Sequence, residues 1–317
     1  MALPDDAAGT TIATPTIRHV IVEAQATTCD RRDRHGHTGP GVNQTTPQSD
    51  YHWIMLRQGK GNAVFWDRIE PHITPRLEAA VSNAYAVFAD YRLSGTITYC
   101  DCPVCMTAET AAELSAKPLK ELSAELLAEY TNSAHGYDRE TIEPQFKYFL
   151  PRYFDLIAHC QPPSHMDLDT CLTRLQGYRE HWRAAEIAAV DGFFDAFVEA
   201  SVHQLYLLEW PVGLRLEYDM GEVLTMIVLA GGDLTRVLAV FDDGPDPEAA
   251  VHMASMRMGL ETRRGRPYYG NAFLNDYPEV CERIGAWLSR DSVTERIMAA
   301  PEQLDTQDYD DILNRGV

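Results

Sequence analysis

Between Ile142 and Ala158 the chain reads "IEPQFKYFLPRYFDLIA", a stretch that few folds can accommodate. Ile142, Phe146, Phe149, Leu150, Tyr153, Phe154 and Ile157 recur at spacings of three and four, the period of one face of an α-helix. A strand would place Phe149 and Leu150 on opposite sides, whereas a helix gathers the aromatic rings into one stripe that must be buried. Phe149, Leu150 and Phe154 are therefore expected at the centre of a core. Pro151 removes one backbone donor, which predicts either a kink or two abutting helices.

The same period recurs on both sides. Val64, Phe65, Ile69 and Ile73 form a stripe that Pro71 breaks, and Thr74-Pro75 supplies a fresh N-cap with proline at the first helical position. Leu77, Val81, Tyr85 and Phe88 follow at helical spacing, then Leu119, Leu122, Leu126 and Tyr130. A short helix is expected from Thr107 through Leu114, with Pro118 ending it. Later helices are expected over Leu172–Trp182, Ala184–Trp210, Val223–Phe241 with a break at Gly231-Gly232, Ala249–Leu260 and Tyr277–Leu288. "RLSGTITYC" is the only β-like stretch, short enough to be an extended connector, and "TRRGRPYYGN" reads as a basic loop. The fold class is accordingly all-α, either an irregular multi-helix bundle or a degenerate, HEAT-like helical-repeat stack.

Residues 1–54 have a different composition. "MALPDDAAGTTIATPT" and "RHGHTGPGVNQTTPQSD" are turn-rich and polar, so this segment is expected to be a flexible leader that buries little. Met55 opens a stretch that reads like a protein start. A single helical domain is expected over 55–300, with sub-lobes at 55–160 and 167–300 divided by "CQPPSHMDLD", followed by an acidic tail at 301–317.

Acidic residues number 47 against 27 basic, a formal charge of −20. That field repels phosphate backbones, so nucleic acid is excluded as the expected partner and a basic protein is favoured. No run approaches the ~20 apolar residues of a membrane span. Nor does the chain open with a basic segment followed by an apolar one, so the expected location is the cytoplasm.

In a reducing compartment the seven cysteines are not a disulfide framework. Cys29, Cys160, Cys171 and Cys281 are scattered and expected to be structural thiols. The exception is "YCDCPVCMT", where Cys100, Cys102 and Cys105 make a C-x-C-x-x-C cluster. Three readings are open: small buried thiols, a metal knuckle, or a redox pair at Cys102 and Cys105. Zinc favours tetrahedral sulfur and nitrogen ligands, and His135 in "NSAHGYD" is the first candidate for a fourth position, followed by His159, Cys160 and His165. A thioredoxin-like dithiol would need a βαβ setting, and this chain offers helices. No nucleophile elbow, H-E-x-x-H helix or phosphate-binding glycine loop is present, and no catalytic residue can be named.

"CDCPVC", "KPLKELSAELLAEYTNSAHGYD" and "YFLPRYFDLIA" together resemble an uncharacterised bacterial family of helical proteins that pairs a cysteine knuckle with a Pro-Leu-x-Glu-Leu helix and a Phe-Leu-Pro-Arg helix. The resemblance covers about Tyr85 to Ala158 and is looser beyond. It implies a shared helical fold and a purpose for the cysteines, and it transfers no catalytic residue. Two functions follow as expectations. One is a non-enzymatic, acidic helical scaffold or interaction protein with a structural zinc knuckle. The alternative is a metal-dependent hydrolase or thiol redox enzyme working at Cys100, Cys102 and Cys105.

Overall fold

The computed structural model describes residues 70–100, 102, 105–133, 140–165, 168–210, 213–244, 246–304 and 307–317. The expected leader at 1–54 and residues 55–69 lie outside them. Within them the chain is predominantly helical. The α-helices are α1 (Pro75–Val87), α2 (Ala108–Ala116), α3 (Ala124–Asn132), α4 (Ile142–Ala158), α5 (Tyr178–His181), α6 (Ala184–Ser201), α7 (Met220–Leu229), α8 (Leu234–Asp243), α9 (Pro247–Arg257), α10 (Pro278–Leu288), α11 (Asp291–Ala299) and α12 (Asp310–Gly316). Two antiparallel hairpins interrupt the series: β1 (Tyr206–Trp210) with β2 (Gly213–Glu217), and β3 (Leu260–Arg263) with β4 (Arg266–Tyr269). Their registers run from Tyr206 opposite Glu217 to Trp210 opposite Gly213, and from Leu260 opposite Tyr269 to Arg263 opposite Arg266. Among the described residues no helix is long and apolar enough to cross a membrane.

Local chemistry sets most helix ends. At the start of α1 the Thr74 hydroxyl accepts from the Leu77 amide at 3.1 Å, and Pro75 takes the first position. Helix α7 stops where the sequence suggested: Gly231 adopts φ +83°, its amide reaches the Val228 carbonyl at 2.9 Å, and Gly232 N reaches Ile227 O at 2.8 Å. Those two bonds satisfy carbonyls left over at the helix end. Helix α4 runs unbroken through Pro151 and ends by the same device, with Cys160 at φ 55° in place of glycine. Its amide bonds Ile157 O at 3.0 Å, and Gln161 N bonds Leu156 O at 2.9 Å.

Packing centres on α4 and α6. Phe149, Leu150 and Phe154 are fully buried, as the stripe required. The Phe154 ring stacks on Phe193 with centroids 3.9 Å apart and planes at 8°, and Phe193 continues the stack to Phe197 at 5.5 Å. Helix α1 packs against both α4 and α6, and α9 contacts α7, α11 and α12. Helices remote in sequence thus meet, which is the packing of an irregular bundle; in a repeat stack each unit touches its chain neighbours. A buried ionic knot joins the same elements. Lys147 Nζ lies 2.8 Å from Glu143 and 3.0 Å from the fully buried Glu186, and 4.3 Å over the Trp182 ring. Glu186 also accepts from the Tyr91 hydroxyl at 2.6 Å and from Arg183 Nε at 2.7 Å. Burial alone would raise the Glu186 carboxyl, but these donors outweigh it and hold the carboxyl below its usual range.

Several sequence expectations change. The helix expected over Ala184–Trp210 ends at Ser201, and Tyr206–Trp210 becomes a strand because a second strand, Gly213–Glu217, lies within reach to pair with it. The helix expected over Leu172–Trp182 is a single 3₁₀ turn at Thr173–Leu175 and the short α5. Gly177 at φ +81° separates them. "TRRGRPYYGN" is not a loop but the body of the β3–β4 hairpin. "RLSGTITYC" is the extended connector of the two readings it allowed: it forms no strand, and side chains meet its Thr98 and Cys100 amides. The expected acidic tail is in part a helix. In α12, Ile312 and Leu313 are buried, and Gly316 lies so close to Ala254 of α9 that an added Cβ would sit 2.5 Å from it. Arg257 of α9 secures the contact by donating to Gly316 O at 2.9 Å and to Leu288 O at 2.7 Å.

Candidate metal centre

The cysteine segment leaves α1 as an extended strip pinned at alternate residues. Ile97 is buried in the core. The Thr98 amide donates to Gln145 Oε1 at 3.0 Å, and Gln145 Nε2 returns a bond to the Thr98 hydroxyl at 3.2 Å. The Cys100 amide donates to Ser133 Oγ at 2.9 Å. The strip therefore meets the period-two hydrogen-bonding demand of extended backbone with side chains from α4 and from the residue capping α3. The chain then turns on itself, Cys105 N reaching Cys102 O at 3.2 Å. Buried Met106 anchors its far side, and Thr107 caps α2 by accepting from Thr110 N at 3.2 Å.

This framework gathers the three sulfurs. The Sγ atoms of Cys100, Cys102 and Cys105 all lie within 4.8 Å of one another, and each residue is half-buried. Zinc with Zn–S bonds of about 2.3 Å holds tetrahedral sulfurs ~3.8 Å apart, so side-chain rotation of about 1 Å or less brings the trio to bonding distance. Three soft donors so placed can hold an ion, and thiolates select zinc, copper(I) or iron–sulfur chemistry over magnesium or calcium.

The support beneath the cluster is polar and tightly bonded. Ser133, which holds the Cys100 amide, is itself buried. Its carbonyl, with those of Tyr130 and Thr131, receives the Arg174 guanidinium at 3.2, 3.0 and 3.1 Å. A cation thereby satisfies the last carbonyls of α3 and lies 5.1 Å from the Tyr130 ring. Thr131 extends the bracing by donating to Pro163 O at 2.6 Å and bonding the Tyr153 hydroxyl at 2.6 Å.

Of the residues that the sequence nominated, the structure brings Cys100, Cys102 and Cys105 together. His135 lies outside the described residues. The other nominees are engaged elsewhere. His159 caps α4, its Nδ1 2.7 Å from Asp155 O. His165 pairs through Nε2 with Glu129 at 3.0 Å. Cys160 is buried in the wall of a small cavity with Phe197 and Tyr218, and burial pushes its thiol up to about 12, far from the thiolate a metal needs. Cys171 and Cys281 are buried, as structural thiols should be; Cys29 lies outside the described residues. Gln145, Ser133 and Arg174 were not legible as site residues, because no local motif links them to the strip they hold, the nearest bond joining Cys100 to Ser133 across 33 residues.

No protein-family model, no curated protein and no solved structure matches this chain.

Proposed function

We propose that this chain is a non-enzymatic, acidic helical interaction protein in which Cys100, Cys102 and Cys105 form a structural zinc clip. The observation that carries the reading is the convergence of three Sγ atoms within 4.8 Å on a strip bonded to the end of α3. His135 is the proposed fourth ligand; with it the metal would close a loop of about 30 residues, and loop closure by a metal adds to folding stability. The excess of 47 acidic over 27 basic residues supports a basic protein as the partner and disfavours nucleic acid. Zinc-bound thiolates also suit a reducing compartment, which is how a cytoplasmic location enters the proposal. Membership of the bacterial family with the cysteine knuckle belongs to it as well.

Elemental analysis of the full chain purified without added metal or chelator tests the clip. Near-stoichiometric zinc is expected, lost in the Cys102→Ser/Cys105→Ser variant together with a lower melting temperature. Metal-free protein that is fully folded and indifferent to chelator would overturn it. The half-buried state of the three cysteines favours one second reading, a metal-dependent hydrolase or thiol redox enzyme. A Cys102–Cys105 pair that cycles between dithiol and disulfide in a glutathione titration, with the fold unchanged, would select that reading.

A further inference from the structure

The tip of the β3–β4 hairpin inverts the charge of the molecule. In a chain of net charge −20, Arg263, Arg264 and Arg266 fall within four residues, and residues 261–267 are all exposed. We propose that this tip is a docking point for an acidic polypeptide segment of a partner protein.

Three features argue that the guanidinium groups are displayed rather than merely solvated. The first is the turn. Arg264 and Gly265 both have positive φ, 52° and 75°, the conformation of a tight hairpin turn in which asparagine followed by glycine is the least strained choice. Arginine stands where a short polar residue would strain the backbone less. The second is the mounting. The backbone at Pro267 and Tyr268 rests directly on Gly285 of α10, where a Cβ would come within 2.7 Å of Pro267 C and 2.6 Å of Tyr268 N. With Tyr268 and Tyr269 buried beneath it, the hairpin is held firmly against α10. The third is pre-orientation. The Arg263 guanidinium lies 3.9 Å over the Tyr268 ring and is braced by Glu261 at 2.7 Å. Arg266 is about three-quarters exposed and only loosely paired, 3.9 Å from Glu282. Among the described residues Arg264 makes no ion pair.

The choice of partner follows from charge and shape. A guanidinium fork matches carboxylate bidentately, and a short acidic segment can meet three such forks without touching the rest of the surface. A long polyanion has to lie along flanks that carry Glu261, Glu279 and Glu282, all exposed, and is repelled by the chain as a whole. The proposal does not depend on the zinc clip.

Fluorescence anisotropy with a labelled hexaglutamate peptide and the full chain at about 20 mM salt tests it, since an exposed ionic contact weakens as the Debye length shrinks. Saturable binding is expected, weakened roughly tenfold or more by Arg263→Ser/Arg264→Asn/Arg266→Ser and severalfold by Arg264→Asn alone. Asparagine tolerates positive φ, so Arg264→Asn should melt no lower than the parent, which separates lost binding from lost folding. Absence of saturable binding by the parent, or equal affinity in the triple variant, would refute the proposal. Equal or tighter binding of a thymidine hexanucleotide would also refute it, in favour of a nucleic-acid ligand.

Discussion

Replacing Phe154 with Ala removes the ring that joins α4 to α6. The side chain is fully buried, stacks on Phe193 at 3.9 Å and meets Phe194 edge-on at 6.4 Å. Losing about 110 Å² of buried apolar surface at roughly 25 cal/mol/Å² costs ~3 kcal/mol. A cavity of about 100 Å³ adds at most ~2.4 kcal/mol if the walls do not relax. Cavity walls relax only in part, so the total is about 3–5 kcal/mol, a large share of the ~5–15 kcal/mol that stabilises a typical domain. Urea melts followed by circular dichroism measure it. With a slope of about 3 kcal/mol per molar urea the midpoint should fall by roughly 1–1.7 M. Phe154→Leu, which retains most of the volume, should fall by less than half as much. A Phe154→Ala midpoint unchanged within error would refute the packing argument and mark the aromatic stripe as a surface.

Gly316→Val should drive α12 away from Ala254 and cost about 1–3 kcal/mol by overpacking; the melting temperature checks it, with exposed Arg315→Ala near neutral as the control. His252 gives a pH test. It is fully buried on α9, its Nδ1 accepts from Met220 N at 3.3 Å, and burial lowers its pKa to about 4 despite the nearby Asp219 carboxylate and the Ser201 and Val202 backbone. A histidine in the unfolded chain titrates near ~6.5, so between about pH 6.5 and 4 the unfolded state binds more protons and stability falls with acid, by up to roughly 1.4 kcal/mol per pH unit. Urea midpoints for the parent and His252→Gln between about pH 7 and 5 should show a flatter dependence in the variant; parallel slopes would contradict it.

What the sequence by itself determined lies where local chemistry decides the outcome. The stripe from Ile142 to Ile157 specified a buried helix because an aromatic face at that period has no other way to leave water. Thr74-Pro75 and Gly231-Gly232 specified a helix start and stop because hydroxyl capping and positive φ are properties of those residues. The cysteine cluster was legible for the same reason, three thiols set close together by their own spacing. Tertiary structure decided the rest. Tyr206–Trp210 carries apolar residues that suit helix or strand, and pairing with Gly213–Glu217 settled it. Residues 310–316 are too short and acidic to be stable as an isolated helix, and become one because Gly316 fits against Ala254 and Arg257 holds the end. Cys160 takes a glycine conformation that nothing in its side chain favours. The brace of the cysteine cluster, from Ser133 to Arg174, joins residues about 40 apart, and a hydrogen bond at that separation exists only after the core has folded and set its two ends side by side.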